Sequence, residues 1–76
     1  MITVKLYGLL RLESGIKTLD IDANNTKELL AALEQQGLDA KLLRGCNILV
    51  NGELTTKHIP LQSGDTVQLF PPVAGG

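Results

Sequence analysis

Asn25-Thr26-Lys27-Glu28-Leu29-Leu30-Ala31-Ala32-Leu33-Glu34-Gln35-Gln36-Gly37 is the stretch on which the fold turns. Asn25 with Glu28 three residues later resembles a capping box in which Asn replaces Ser or Thr, and Leu29, Leu30 and Leu33 then line one helical face. Lys27, Glu28 and Glu34 read as a solvated face. Gln35-Gln36-Gly37 closes the segment with the residue best suited to a left-handed C′ position. On either side of this helix the hydrophobic period changes from helical spacing to two. Ile2, Val4 and Leu6 alternate with Thr3, Lys5 and Tyr7, and Gly8 ends that strand. After residues 9–13, Ser14-Gly15 reads as a turn, and Lys17 to Ala23 alternates again with Leu19, Ile21 and Ala23 inward. The two strands, joined by a short loop, are expected to form an antiparallel hairpin.

Downstream of the helix, residues 38–44 are short and mixed, with one helical turn expected from Asp39. Gly45 leads into a strand with Cys46, Ile48 and Val50 inward. Asn51-Gly52 is a strong type I′ turn signal, followed by a brief return through Glu53-Leu54. Gln62-Ser63-Gly64-Asp65 reads as a turn, with Asp65 hydrogen-bonding nearby backbone. Thr66 to Phe70 forms the last strand. The expected class is α+β: a mixed sheet of about five strands packed on one main helix. This order resembles the ubiquitin-like β-grasp roll, with a domain over 1–70 and an extended, flexible tail over 71–76.

One helix can cover one sheet face, so the other is expected to stay wet. On the parity above, Tyr7, Leu49 and Phe70 point away from the helix, and Leu54 lies near them past the hairpin. Apolar residues clustered on a solvent face mark a candidate partner-binding patch.

Composition narrows the function. The chain has 76 residues, 43% of them hydrophobic, yet Tyr7 and Phe70 are its only aromatics. A domain of this size buries roughly 60% of the surface its unfolded chain exposes, so a deep catalytic pocket would consume much of the core. A carrier, adaptor or subunit fits better than a self-contained enzyme. Seven basic and eight acidic residues give a net charge of -1. The basic ones are scattered along the chain, and aromatic platforms are scarce, which argues against nucleic acid. Cys46 and His58 are the only residues of their kinds and make no metal-ligand spacing. Cys46 reads as a small buried hydrophobe and His58 as a surface or packing residue. No apolar run is long enough to span a bilayer, and neither a signal segment nor a disulfide framework is visible, so a reducing, cytoplasmic setting is expected.

The chemistry concentrates after the last strand, in Pro71-Pro72-Val73-Ala74-Gly75-Gly76. Consecutive prolines cannot continue a ladder and favour an extended course, so the tail is expected to leave the sheet as a stiff projection. Bulk then falls in order, from Val73 to Ala74 to two residues without side chains. Glycine lets a carboxylate travel down a narrow channel with no Cβ to obstruct attack at its carbonyl carbon.

Gly64-Asp65-Thr66-Val67 followed by Phe70-Pro71-Pro72-Val73-Ala74-Gly75-Gly76 resembles the C-terminus of the molybdopterin synthase small-subunit family, within a wider group that includes the sulfur carrier of thiamine biosynthesis. Val50-Asn51-Gly52 and Pro60-Leu61 extend the likeness. The resemblance implies that an E1-like enzyme, using ATP and Mg, adenylates the Gly76 carboxylate. A sulfur donor such as a cysteine desulfurase or rhodanese then leaves a thiocarboxylate. The tail, Pro71 to Gly75, would insert into the large synthase subunit of a heterotetramer, where the sulfur is given to dithiolene formation. Phe70 and Leu54, with Leu49 and Tyr7, would contact the partner. On this reading the chain holds no cofactor permanently and is not an enzyme on its own. A carrier for thiamine or another sulfur-containing metabolite, and a ubiquitin-like protein modifier, are the alternatives.

Overall fold

A computed structural model describes residues 1–55 and 58–72. The sheet is built from β1 (Ile2–Leu6), β2 (Thr18–Ile21), β3 (Asn47–Val50), β4 (Glu53–Thr55) and β5 (Thr66–Phe70), in the order β2-β1-β5-β3-β4. The first and last strands pair in parallel at the centre, Val4 opposite Val67 and Leu6 opposite Leu69. β1–β2, β3–β4 and β3–β5 are antiparallel. The five-stranded mixed sheet expected from the alternation is therefore present.

Three helices lie among the described residues: α1 (Gly8–Ser14), which was not expected, α2 (Thr26–Gln35), the expected main helix, and α3 (Ala40–Gly45), the helical turn expected from Asp39. All contribute to a single core, in which Leu10 of α1, Leu29 and Leu33 of α2 and Leu43 of α3 join Ile2, Val4, Leu6, Ile21, Val67 and Leu69. The inward parity read from the strands holds, with Leu19, Ile48 and Val50 packed against the same core.

The principal correction concerns residues 8–14, expected as part of a short loop. They form α1, which carries the chain from β1 to β2. Seven residues cannot hold a helix in isolation. Here one side chain, Leu10, is buried in the core, and Ser14 ends the helix by donating to the Leu10 carbonyl at 2.6 Å while accepting from Ile16 N–H at 3.1 Å. The reversal expected at Ser14-Gly15 is there, but as a helix C-cap rather than a hairpin turn.

α2 starts as its sequence implies. Glu28 N–H donates to Asn25 Oδ1 at 2.8 Å, and the Glu28 carboxylate accepts in return from Asn24 N–H at 3.2 Å, so the reciprocal bond of the capping box is displaced by one residue. Thr26, buried at the same end, donates its N–H to the Ile59 carbonyl and accepts Ile59 N–H on its hydroxyl at 3.1 Å. α3 starts at Asp39, whose carboxylate accepts Lys41 N–H at 2.8 Å. Asn51 and Gly52 have φ of 51° and 85°, the two positive values a type I′ turn requires.

Candidate functional site

The sheet face opposite the helices is set by strand register. Lys5 pairs with Gln68, Gln68 with Leu49, and Leu49 with Leu54, so these four side chains form one row across β1, β5, β3 and β4. Phe70, opposite Asn47, belongs to the next row. Tyr7 follows β1, continuing its ladder by donating its N–H to the Leu69 carbonyl at 3.2 Å. Its ring lies flat on Phe70, centroids 4.3 Å apart and planes within 9°.

The four residues expected to form the patch are thus brought onto one face. Leu54 is the most open, 62% exposed, while Tyr7, Leu49 and Phe70 are half-buried. Gln68 lies between the leucine pair and the aromatic pair. Its Nε2 donates to Tyr7 Oη at 2.9 Å, which satisfies both polar groups within the patch and steadies the ring that supports Phe70. Alternation with Phe70 along β5 puts Gln68 on this face, and only the fold brings it to Tyr7.

The basic residues, scattered in sequence, are partly gathered by the fold. Lys5, Arg11 and Lys17 line a shallow pocket beside Tyr7, together with Leu6 and Thr18. The apolar face therefore has a cationic rim at its β1–β2 side. α1 supplies Arg11 to that rim, so the cluster exists only once residues 8–14 are helical.

Pro71 and Pro72 continue from Phe70 at the edge of the aromatic pair. They run beside two glycines: a Cβ placed on Gly8 would sit 3.0 Å from Pro71 Cγ, and one on Gly45 would sit 3.3 Å from Pro72 Cγ. The sequence marked Gly8 only as the end of a strand and Gly45 only as the residue leading into one. The rest of the expected tail, Val73, Ala74, Gly75 and the reactive Gly76, lies outside the described residues.

Cys46 is half-buried just before β3, and its Sγ–H donates to the Leu43 carbonyl at 2.9 Å. Burial pushes the thiol's pKa up, which suits the inert packing role expected of it. His58 is exposed. Among the described residues no three His, Cys, Asp or Glu side chains gather to hold a metal, and no helix is long and apolar enough to cross a membrane.

A mixed five-stranded sheet grasping one longer and two short helices is the ubiquitin-like β-grasp fold, here with an apolar outer face running to the root of the tail. The chain belongs to the ThiS family, whose model matches residues 4–76, and so to the small ubiquitin-like sulfur carriers and modifiers. Among solved structures it is similar to a chain in the complex of subunits 1 and 2 of molybdopterin-converting factor from Helicobacter pylori 26695, at 33% identity and TM-score 0.76 over 99% of this chain and 97% of that one. It is also similar to SAMP1 from Haloferax volcanii, at 30% identity and TM-score 0.74 over 99% and 98% of the two chains. A chain of the Amycolatopsis orientalis BexX/CysO complex matches at 27% identity and TM-score 0.75, with 100% of each chain covered. A search of curated proteins returned no match.

Proposed function

We propose that this chain carries sulfur on Gly76 and acts as the small subunit of a molybdopterin synthase. The observation that carries this reading is the family match running through Gly76, joined to a neighbour at 33% identity in the molybdopterin-converting factor complex. The Phe70-Pro71-Pro72-Val73-Ala74-Gly75-Gly76 ending supports the same pathway.

A free carboxylate is a poor electrophile. In the proposed cycle a Gly76 carboxylate oxygen attacks the α-phosphorus of ATP on an E1-like enzyme, and pyrophosphate leaves. The terminal sulfur of a donor protein's persulfide then attacks the acyl carbon and displaces AMP, and a second thiol cleaves the S–S bond of the resulting acyl disulfide, which leaves the thiocarboxylate on Gly76 and a disulfide on the donor side. In the large subunit that sulfur attacks a carbon of the pterin precursor and displaces an oxygen leaving group, and water then cleaves the acyl–sulfur bond of the resulting thioester, which leaves the sulfur on the pterin and restores the Gly76 carboxylate. ATP, Mg and the general acids and bases belong to the partners. This chain contributes a side-chain-free end and a docking face of Tyr7, Leu49, Leu54 and Phe70. The fold, over residues 1–70, is the handle; residues 71–76 are the working part.

Intact-mass measurement after incubation with an E1-like enzyme, ATP and a sulfur donor tests the carrier step. Replacement of one oxygen by one sulfur, lost when Gly75 and Gly76 are deleted, is the expected result. Failure with every cognate activating enzyme sinks it. Co-purification with a molybdopterin synthase large subunit tests the pathway. A second reading, conjugation to protein lysines through Gly76, is favoured by the likeness to small archaeal modifier protein 1, at 28% identity in a second crystal structure. Slower-migrating conjugates that vanish on deletion of Gly76, with no thiocarboxylate accumulating, would select it.

A further inference from the structure

The registers of β5 extend beyond its last residue. Leu69 opposite Leu6 in the parallel pair brings Pro71 alongside Gly8, and Phe70 opposite Asn47 in the antiparallel pair brings Pro72 toward Gly45. A proline has no N–H to donate, so the ladder cannot continue through these positions by hydrogen bonds. Ring contacts take its place. Pro71 Cγ and Cδ lie 3.0 and 3.4 Å from where a Gly8 Cβ would be, and Pro72 Cγ and Cδ lie 3.3 and 3.5 Å from that of Gly45. A Cβ at either glycine would press on the ring beside it and require it to yield by a few tenths of an ångström. Gly8 begins α1 and Gly45 ends α3, so both contacts are anchored through Leu10 and Leu43 to the core.

We infer that Gly8 and Gly45 are positioning residues for the tail: together they clasp Pro71 and Pro72 and set the direction in which residues 73–76 are presented to a partner's active site. The free reach then begins at Pro72 rather than Phe70. From Pro72 to Gly76 four residues extend at most about 14 Å, against about 21 Å for six from Phe70. A partner must therefore seat the docking face closely for Gly76 to arrive, and the two recognition events are coupled through the clasp.

This inference rests on the carrier reading, and its test separates the two. Gly45→Ala is the cleaner probe, since Gly45 has an ordinary helical φ. Gly8, at φ +56°, carries a backbone cost as well as the clash, and Gly15→Ala is its control, because Gly15 has φ +73° with nothing within 4 Å. Steady-state adenylation of the full chain by its activating enzyme is measured for wild type, Gly45→Ala, Gly8→Ala, Gly15→Ala, Pro72→Ala and the Gly45→Ala/Pro72→Ala pair. A tail redirected at its root with an intact docking face lowers kcat by about threefold or more while KM for the carrier stays within about twofold, since rates fall steeply with misplacement of the reacting atoms. The paired variant should be no slower than the slower single variant, and Gly15→Ala should match wild type. Wild-type kcat in both Gly45→Ala and Gly8→Ala, or losses that multiply in the pair, would overturn the clasp. If the wild-type chain is never adenylated, the carrier reading fails and the clasp is judged by NMR alone. Cross-relaxation from Gly8 Hα to the Pro71 ring and from Gly45 Hα to the Pro72 ring supports it, and absence of both overturns it.

Discussion

The Asp65 carboxylate accepts Gln62 N–H at 2.8 Å on one oxygen and Asn51 Nδ2 at 3.0 Å on the other, while Asn51 Oδ1 accepts Thr66 N–H at 3.0 Å. One side chain thus links the turn before β5 to the type I′ turn between β3 and β4. Its sequence context implied only the local part of this role. The Gln62 and Asn51 hydrogen bonds hold its pKa below the ordinary carboxylate value. Because the folded pKa is depressed, its stabilisation is complete above the unfolded value near 3.9 and is lost as pH falls through the folded one. In Asp65→Asn, melting temperature should fall less steeply with acid than in wild type, as thermal unfolding across a pH series would record. The Cys46 thiol, raised by burial and donating to Leu43, should react with a soluble disulfide reagent at pH 8 about tenfold slower than a free thiol. A rate equal to that of the unfolded chain would contradict the packing assigned to it.

Among the elements, α2 shows how far local signals reach and where they stop. Its caps and apolar face were readable because ten residues span nearly three turns, enough for a period to repeat. The second half of its start was not: Thr26 is tied to Ile59, more than thirty residues away, through both its backbone and its hydroxyl. Thr26→Val keeps the shape but leaves the half-buried Ile59 N–H without its acceptor, so a loss of about 1 kcal/mol is expected in urea unfolding. Leu33, 0% exposed, should cost more: Leu33→Ala is expected to lose about 2–5 kcal/mol, a large share of what a domain this small holds. α1 lies at the other extreme. Its start at a left-handed glycine, its brevity and its single buried residue leave no periodic trace, and tertiary contact alone makes it a helix.

Across the whole molecule, the Leu49–Leu54 pair, the Tyr7–Phe70 stack and a cationic rim share one face. The leucines and aromatics were legible there because a strand's period of two assigns faces without knowledge of partners. The rim was not, since Lys5, Arg11 and Lys17 come from a strand, a helix and a loop that only the fold assembles. If this face docks the proposed partner, a molybdopterin synthase large subunit, Phe70→Ala and Leu54→Asp should each weaken that binding by about tenfold or more while melting remains cooperative. Unchanged affinity in a folded Phe70→Ala would remove it as an anchor. Lys5→Ala/Arg11→Ala/Lys17→Ala should instead slow association and flatten its salt dependence, as stopped-flow measurements would show.

Local chemistry sufficed for the five strands, the main helix, the turns and the face on which Tyr7, Leu49, Leu54 and Phe70 would meet, because alternation, capping and turn preferences act within a few residues. It also marked the tail, through the removal of side chains toward Gly76. The parallel pairing of the first and last strands, the folding of residues 8–14 into α1, the basic rim and the seating of Pro71 and Pro72 on Gly8 and Gly45 arise from contacts between distant segments. Their energies exist only once the chain has closed on itself. For the same reason Gly8 and Gly45, readable in the one-dimensional chain only as strand boundaries, acquire their contacts with Pro71 and Pro72 only once β5 runs between β1 and β3.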